Sequence, residues 1–356
     1  MNPAYQAIIA ASNDDRRGLF VTTANRVGTT VQNVEKDFWV CWTLDALFHR
    51  LKAGGPRLLF KGGTSLSKAY GLISRFSEDI DITVFRADIG EDADVHELDA
   101  LTRKKRTRTL DAIKAACQAY IDGRLRLELE ALAKETMEAS GRDPATLRIV
   151  LDDADQDKQS LLIHYPSAVE ESAYVRPSVK IESGAKSAVD PNESKTIIPY
   201  LGPELTDGDA LAVTGVTTIH PQRTFLDKML ILHGMTFYHD AKGALRGDGR
   251  MSRHYYDVHR LMGSPVGENA CTDNDLIEDC VRHARMFFYR NHTGLHAAKR
   301  GSFRLRPSDK MLDPLRRDYG AMSTMIFGEV PTFEAVIESV TPASDSPISI
   351  IFESRG

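Results

Sequence analysis

Residues 61–84, KGGTSLSKAYGLISRFSEDIDITV, constrain the fold more than any other part of the chain. Two glycines open a short helical pattern, and after a polar turn a predicted strand carries Asp79 and Asp81, one residue apart. Because alternate side chains of a strand leave the same face, both carboxylates point one way, and the apolar residues of the strand point the other way into a core. The segment therefore predicts a strand that is acidic on one face and buried on the other.

This acidic pair favours a particular kind of ligand. Neighbouring carboxylates repel each other and shift each other's pKa, and a shared divalent cation that prefers oxygen ligands, Mg²⁺ before others, relieves the repulsion. The helix that begins near Gly62 and Gly63 presents free backbone N–H groups that suit a phosphate. Each feature alone is common in solvated turns and capped helices. Together, within an apolar strand pattern, they predict a metal–nucleoside triphosphate site, with Asp79 and Asp81 as metal ligands and catalytic residues.

The same segment carries a family resemblance. It resembles motif I of the polymerase-β-like nucleotidyltransferase superfamily, in which a Gly-Gly or Gly-Ser precedes a spacer and an Asp-x-Asp pair. Residues 62–68 (GGTSLSK) and 75–81 (RFSEDID) are specifically similar to the AbiEii/AbiGii toxin branch, which includes the MenT-type toxins. Within this resemblance, motif I supplies a set of nucleotide-binding residues: Gly62, Gly63, Thr64, Ser65 and Lys68.

The resemblance extends over about residues 38–338 and implies an α+β fold. The expected architecture is a mixed sheet with flanking helices, followed by a mostly α-helical C-terminal domain. We expect the nucleotidyltransferase domain over residues 1–220 and the helical domain, which contributes nucleotide-binding residues, over 221–356. A length of 356 residues is comfortable for two domains.

Hydrophobic periodicity predicts where the elements lie. Helices are predicted over residues 3–20, 30–53, 64–73, 96–139, 221–233, 252–262, 273–290, 308–325 and 331–342. Strands are predicted over residues 57–60, 79–85, 147–151, 161–165, 179–182, 195–199 and 212–217. The change from mixed to helical structure falls near residues 218–222.

A third carboxylate is expected on a strand beside the acidic pair, where it holds a second ion or activates the attacking hydroxyl. Glu182, in the sequence VKIE, is the candidate metal ligand and shares a strand face with Lys180. The resemblance identifies this as the third-acid strand, in which Asp is commoner, and a longer Glu changes the metal geometry. The alternative is that Glu182 only pairs with Lys180 on the sheet surface.

The sequence PQRTFLDK resembles the family's Arg-Thr-Phe-x-Asp/Glu-Lys motif. Thr224 and Lys228 are four residues apart on a predicted helix and share a face. A lysine is a compact charge suited to a β- or γ-phosphate, and a hydroxyl can hydrogen-bond a phosphate oxygen. Both residues are therefore predicted to bind the nucleotide, and Lys228 is also predicted to be catalytic. The alternative is a surface lysine that lies beside Asp227.

The sequence RHYYDVHRL resembles the fourth family motif. The resemblance gives Asp257 an active-site role, either holding Lys228 or orienting the nucleotide. Its spacing from Arg253 equally fits a surface ion pair along one helix face.

Charge and composition limit the partners. A net charge of −5 gives no global basic field, so any contact with RNA must come from local patches. Residues 103–108 and 299–306 are such patches, and the second interleaves Phe303 among arginines, a pattern that suits base stacking. The four cysteines form no C-x-x-C pair, and no long apolar stretch or leader is visible, so a cytoplasmic protein without a membrane partner is expected.

These features predict a Mg²⁺-dependent nucleotidyltransferase with an NTP as substrate. The resemblance implies a monomeric toxin of a type IV-like toxin–antitoxin or abortive-infection system, with the 3′ end of tRNA as acceptor and a cognate antitoxin encoded nearby. Two alternatives stay open at this point. One is transfer to a protein or to a small molecule such as an antibiotic, and the other is a non-catalytic NTP-binding module.

Overall fold

The computed structural model describes residues 2–169, 177–245 and 249–340. The chain forms two compact units. The first comprises Met1–Ala69, Phe76–Ala93 and Arg103–Ile219, and the second comprises Tyr70–Arg75, Asp94–Thr102 and His220–Gly356. The predicted contiguous division near residue 220 differs from these units in the two short segments, which make their contacts with the helical unit.

In the part of the first unit that the structure describes, seven strands form one mixed sheet. They are β1 (Leu58–Lys61), β2 (Asp79–Val84), β3 (Arg148–Leu151), β4 (Ser160–His164), β5 (Ser178–Gly184), β6 (Asn192–Ile197) and β7 (Val213–Ile219). Their order is β3-β4-β5-β2-β1-β7-β6, with β2 parallel to β5, β1 parallel to β7 and the other pairs antiparallel. Each predicted strand overlaps one of these, and the predicted mixed sheet is confirmed.

The alternation predicted for β2 is present in the structure. Ile80, Ile82 and Val84 are completely buried, whereas Asp79 and Asp81 are partly exposed on the opposite face. Burial of three such side chains stabilises the strand by several kcal/mol, at roughly 1.5–3 kcal/mol each. A shift of one residue in register would bury the two carboxylates instead, so the apolar residues fix which face the acids occupy.

The helices up to residue 139 differ in places from the predicted ones. They are α1 (Pro3–Ala10), α2 (Asn13–Val27), α3 (Val31–Asp45), α4 (Gly62–Lys68), α5 (Val95–Ala100), α6 (Arg103–Tyr120) and α7 (Arg126–Ala139), of which α5 belongs to the second unit. The predicted helix 3–20 is two helices, because the Ser12 hydroxyl accepts a hydrogen bond from Asp15 N and starts a new one. The predicted helix 96–139 ends first at Ala100, and α6 continues into α7 through a π-helical turn at Ile121–Leu125.

Helix α3 is buried nearly all round and packs against β5 and β7. Its aromatic side chains contribute to the core of the first unit, and the Trp39 ring stacks on Tyr165 with 5.3 Å between centroids. Three charged residues of this helix, Glu35, Lys36 and Asp37, are buried as well. A buried charge costs several kcal/mol unless it is paired, so each of them requires a partner inside the fold.

The second unit is helical from residue 221 onward in the described part of the chain, which confirms the predicted helical C-terminal region. Its helices are α8 (Pro221–Lys242), α9 (Ser252–Met262), α10 (Pro265–Thr272), α11 (Asn274–Phe287), α12 (Asp309–Ser323) and α13 (Phe333–Ser339). Helix α8 is longer than predicted and ends at Gly243, whose φ is 70°. Helices α9, α10 and α11 cover α8, so its sequence lacks the regular alternation of apolar and polar residues that shows where a half-exposed helix ends.

Within the described residues, the structure contains no helix with the length and apolar character needed to cross a membrane.

Candidate active site

The acidic face of β2 is flanked by charged residues of both neighbouring strands. Asp81 lies in register with Lys61 of β1 and with Glu182 of β5, and Asp79 lies in register with Lys180 of β5. Residues in register on adjacent strands share a face of the sheet. The structure therefore brings the predicted third carboxylate, Glu182, to the same face as the acidic pair.

The environment of Asp79 disfavours its charged form. Burial, together with the neighbouring carboxylates of Glu78, Glu182 and Asp81, raises the pKa of Asp79 to about 6. Lys36, whose Nζ lies 2.5 Å from Glu78 Oε2, acts in the opposite direction. A carboxyl pKa raised by burial and by neighbouring acids marks a place where a bound cation would stabilise the charged form.

The donor set fits Mg²⁺ through the two aspartates. In the described residues, no three His, Cys, Asp or Glu side chains form a ready-made metal cage. Mg²⁺ is usually held by one or two carboxylates together with substrate phosphates, so Asp79 and Asp81 suffice for such a site. Glu182 is engaged elsewhere, because its Oε1 lies 2.9 Å from Lys180 Nζ, which also lies 3.2 Å from Asp152. Its predicted role as a metal ligand stays a prediction.

Gly62 allows the Asp81 carboxylate to lie against the start of α4. Its φ is +80°, and a Cβ atom at this position would lie 1.9 Å from Asp81 Oδ2. No real side chain tolerates such a distance, and a positive φ is costly for any residue with a Cβ atom. Gly62 is therefore required here by the close approach of Asp81.

Two hydroxyl groups of α4 are used inside the fold. Thr64 is buried, and its Oγ1 lies 2.5 Å from the carbonyl oxygen of Asp79 and 2.8 Å from Ser77 Oγ. The Ser65 hydroxyl donates to the carbonyl oxygen of Gly62 at 2.9 Å. Thr64 thus ties the start of α4 to the start of β2. The predicted phosphate contacts of α4 then depend on its backbone N–H groups, including that of the buried Gly63, and no side chain caps these groups at Lys61.

Lys68, the last residue of α4, has a partner in α3. Its Nζ lies 2.7 Å from Asp37 Oδ1 and 3.9 Å from the centre of the Tyr200 ring. Asp37 also accepts a hydrogen bond from Tyr200 N at 2.6 Å. Burial lowers the pKa of Lys68, but Asp37, Cys41 and Tyr200 together outweigh burial, so that the net shift is upward. A contact between Lys68 and a triphosphate, which stays a prediction, requires this ion pair to be shared.

Lys228 and Asp257 form a buried ion pair in the second unit. Lys228 Nζ lies 2.9 Å from Asp257 Oδ2, and the two side chains are 8% and 0% exposed. Arg75 approaches the same carboxylate with Nε 2.7 Å from Oδ1 and Nη2 2.8 Å from Oδ2. The alternatives of a surface lysine beside Asp227 and of a surface pair between Arg253 and Asp257 are therefore wrong, because the carboxylate is buried and binds two other cations.

The charges around Asp257 shift the pKa values of this cluster. Burial raises the pKa of Asp257, but Arg75 and Lys228 outweigh burial and hold it well below its usual range. Burial lowers the pKa of Lys228, Asp257 opposes that change, and Arg75 and Arg253 add to it, so that the net shift is downward. Thr224 lies one helical turn before Lys228 on α8 and is also buried. Two cations, Arg75 and Lys228, thus contact the same carboxylate.

Three residues that hold these groups were not among the predicted site residues. Arg75 was part of the quoted motif but had no assigned partner, and its contact with Asp257 spans 182 positions of the chain. Lys36 and Asp37 interrupt the apolar pattern of the predicted helix 30–53. Charges in the middle of such a pattern were the available signal, since a buried charge requires a partner.

The two basic stretches differ in the structure. In residues 103–108 at the start of α6, Arg103, Lys104 and Arg108 are exposed. In the second stretch, Phe303 is only 2% exposed and packs against the ring of His233, with 5.9 Å between centroids. The interpretation of Phe303 as a base-stacking residue is therefore wrong, because core packing already uses its ring.

Comparison with known proteins covers most of the chain. Residues 45–339 match the profile of a family described as nucleotidyl transferase AbiEii toxin, type IV toxin–antitoxin system. No curated protein matches the sequence. Among solved structures, MenT4, a nucleotidyltransferase toxin of Mycobacterium tuberculosis H37Rv, is similar, with a TM-score of 0.46 and 13% sequence identity over 91% of this chain and 86% of that one. The family match includes all four motifs.

Proposed function

Because the chain belongs to the AbiEii family of nucleotidyltransferase toxins from type IV toxin–antitoxin systems, we propose that it transfers NMP from an NTP to an RNA acceptor in a Mg²⁺-dependent reaction. Family membership implies an NTP as substrate and a cognate antitoxin as partner. It also argues against the alternative of a non-catalytic NTP-binding module. The proposed acceptor is the 3′ end of tRNA.

The observation that carries this proposal is the acidic face of β2, where Asp79 and Asp81 lie side by side and Asp79 has an elevated pKa. These two carboxylates are the proposed ligands of Mg²⁺. When bound, the ion neutralises charge on the triphosphate as pyrophosphate leaves. The residues of the chain then act by holding the α-phosphate in line with the attacking hydroxyl.

Candidate phosphate-binding residues are proposed in each unit separately. In the first unit, the N–H groups of Gly63 and Ser65 at the start of α4 are the proposed phosphate donors. In the second unit, Lys228 and Thr224 of α8 are the proposed contacts to the triphosphate, and Asp257 holds Lys228. For Lys68, the pair with Asp37 supports a role in fixing the end of α4 rather than a direct phosphate contact.

Label transfer from an α-³²P-NTP to RNA tests the reaction. We expect Asp79→Ala and Asp81→Ala each to abolish transfer, because a single carboxylate cannot hold the ion in place, while both variants melt close to the wild-type temperature. Chelation of the metal should stop the wild-type reaction, and added Mg²⁺ should restore it. Undiminished transfer by either variant would contradict the assignment.

The basic start of α6 is the proposed contact for the RNA backbone. Exposed Arg103, Lys104 and Arg108 line an open cavity of about 570 Å³ together with Thr107 and Asp111. Replacing the three basic residues by alanine should weaken RNA binding. It should also make the fall of log K with log salt less steep by about 2–3, because each lost phosphate contact contributes about 0.7–0.9 to the steepness. Lys134→Ala, at an exposed position of α7, is the control and should leave the slope unchanged.

Parallel acceptors separate the RNA proposal from the alternatives. Total tRNA, tRNA that lacks its 3′-terminal nucleotides, total protein and an aminoglycoside are each incubated with the enzyme and labelled NTP. Label in intact tRNA alone is the expected result. Label in protein or in the aminoglycoside would replace RNA as the acceptor while leaving the metal–NTP site in place.

A further inference from the structure

Arg75 has no role in the proposed function, although it makes two short contacts in the second unit. Its guanidinium donates from Nε and Nη2 to the two oxygens of Asp257, at 2.7 and 2.8 Å. The Arg75 side chain is 7% exposed, and Asp257 is fully buried. The Asp257 oxygen that receives Nη2 is also the one that lies 2.9 Å from Lys228 Nζ.

We propose that Arg75 is a positioning residue for Lys228, which it holds through the Asp257 carboxylate. The inference rests on the proposed contact between Lys228 and the triphosphate. A planar guanidinium that binds both carboxylate oxygens fixes the plane of the carboxylate, which a lysine alone does not. The fixed carboxylate then sets where the ammonium group lies, and such preorganisation favours transfer at a defined geometry.

The backbone of Arg75 is itself held in place. The carbonyl oxygen of Ser74 accepts a hydrogen bond from Phe327 N at 2.7 Å, and Arg75 forms an antiparallel β-bridge with Ile326. The side chain therefore reaches Asp257 from a fixed backbone and not from a free loop. In sequence, Arg75 precedes Asp79 by four residues, so one short segment of the chain carries both the anchor of Lys228 and the start of the acidic pair.

The charges around Lys228 give Arg75 a second effect. Asp257 raises the pKa of Lys228, whereas burial, Arg75 and Arg253 lower it. His254 also faces this cluster, and burial together with Lys228 and Arg253 lowers the pKa of His254 well below its usual value, so it is neutral at pH 7. Arg75 therefore shares the Asp257 carboxylate with Lys228, and its charge lowers the pKa of Lys228.

Two substitutions separate the geometry of Arg75 from its charge. Arg75→Lys keeps the positive charge but loses the paired contact with both Asp257 oxygens, and Arg75→Gln loses both the charge and that contact. Arg57, which binds Asp88 with the same two-pronged geometry at 2.8 and 2.9 Å on the surface of the first unit, supplies the matched controls Arg57→Lys and Arg57→Gln. The kcat and the KM for NTP are measured for all five proteins over a range of pH, well below each melting temperature.

The expected loss in kcat/KM is at least tenfold for Arg75→Lys and at least a hundredfold for Arg75→Gln, against less than twofold for the Arg57 variants. Arg75→Gln should also move the alkaline limb of the pH profile to higher pH, because the charge that lowers the pKa of Lys228 is gone. Arg75→Lys should leave that limb near its wild-type position. A merely structural loss would reduce kcat at every pH and leave both the limb and KM unchanged.

An NMR signal from the Lys228 side chain tests the inference without a measurement of enzyme activity. In protein with ¹³C-labelled lysine, the Lys228 signal is assigned as the one that Lys228→Met removes, and its titration is followed by NMR. Arg75→Gln should shift this titration to higher pH, and Arg57→Gln should not. An unshifted titration, or kinetic losses no larger than in the Arg57 variants, would overturn the inference while leaving NMP transfer by the wild type intact. Absence of transfer by the wild type would instead count against the proposed function.

Discussion

Two buried lysines, Lys68 in the first unit and Lys228 in the second, look alike by distance and differ in charge balance. Each lies within hydrogen-bond distance of an aspartate from another helix, at 2.7 and 2.9 Å. Asp37 balances Lys68, whose pKa is raised, whereas Asp257 is shared with Arg75, so that the pKa of Lys228 is lowered. Lys68 thus pairs with Asp37, whereas Lys228 shares its aspartate with Arg75. The distance to a carboxylate therefore does not distinguish the two lysines, whereas the other partner of that carboxylate does.

Of the two lysines, Lys228 should have the larger effect on activity when it is replaced. Lys228→Met should lower kcat/KM for transfer about 10²–10³-fold, the usual loss when one charge-stabilising donor is removed. The melting temperature should fall little, because Arg75 still neutralises Asp257. The comparison fails if Lys228→Met retains activity while Lys68→Met, measured in the same assay at full folding, loses it.

Replacing Lys68 should instead act on stability. Lys68→Met leaves Asp37 buried without its cation, which typically costs about 3–5 kcal/mol. The double variant Lys68→Met/Asp37→Asn removes both charges and keeps an acceptor for Tyr200 N, so most of the lost free energy of unfolding should return. Urea unfolding measures both variants. If the double variant is stable but inactive, Lys68 has the direct role at the triphosphate that motif I predicts.

Acid should sharpen the difference between the units. Burial lowers the pKa of His233, in the second unit, to about 4, so the unfolded chain takes up its proton first and stability is lost as pH falls from about 6.5 towards 4. Burial raises the pKa of Glu35, in the first unit, which favours its folded, protonated form in acid. His233 can contribute up to about 3 kcal/mol of this loss.

Hydrogen exchange at pH 6.5 and 4.5, read by mass spectrometry, checks this expectation. Peptides of α8 should lose more protection on acidification than peptides of the central strands β1 and β2. His233→Gln, which can still accept the hydrogen bond from Arg304 N, should remove part of the difference. Equal loss in both sets of peptides would show that His233 does not set the acid response.

A smaller effect is expected at the acidic face. Asp79→Asn should melt at or slightly above the wild-type temperature in metal-free buffer, because it removes a buried charge and relieves the repulsion from neighbouring carboxylates, which together raise the pKa of Asp79. Differential scanning calorimetry with chelator present makes the measurement. A clear drop in melting temperature would mean that the Asp79 charge stabilises the metal-free protein. The acidic face would then not need a bound cation.

The sequence was most informative where the signal is local. The alternation in β2 correctly predicted which side chains are buried, and the 3.6-residue pattern of α9 predicted its bounds, Ser252–Met262. Both patterns arise because one face of the element is apolar and the other is not. Helix α8 has no such contrast, since it is covered on several sides. Its end was predicted at residue 233, nine residues before the actual end at Lys242.

The partners of the buried charges could not be predicted from spacing. Sequence reasoning compares residues three or four apart on a helix, so it offered Asp227 and Arg253 as neighbours of Lys228 and Asp257. The actual contact between Arg75 and Asp257 joins residues 182 positions apart. Glu182 differs, because the sequence predicted its place beside Asp81 and also offered Lys180 as its partner. Only the side-chain geometry shows that its carboxylate contacts Lys180.

The binding of a Mg²⁺–NTP analogue tests the central assignment without knowledge of the acceptor. The shift in melting temperature caused by Mg²⁺ with a non-hydrolysable NTP is measured for the wild type, Asp79→Asn and Asp81→Asn. A shift in the wild type that is absent from both variants is the predicted result. Equal shifts in all three proteins would contradict the account, since the nucleotide and its ion would then bind without the two carboxylates of β2.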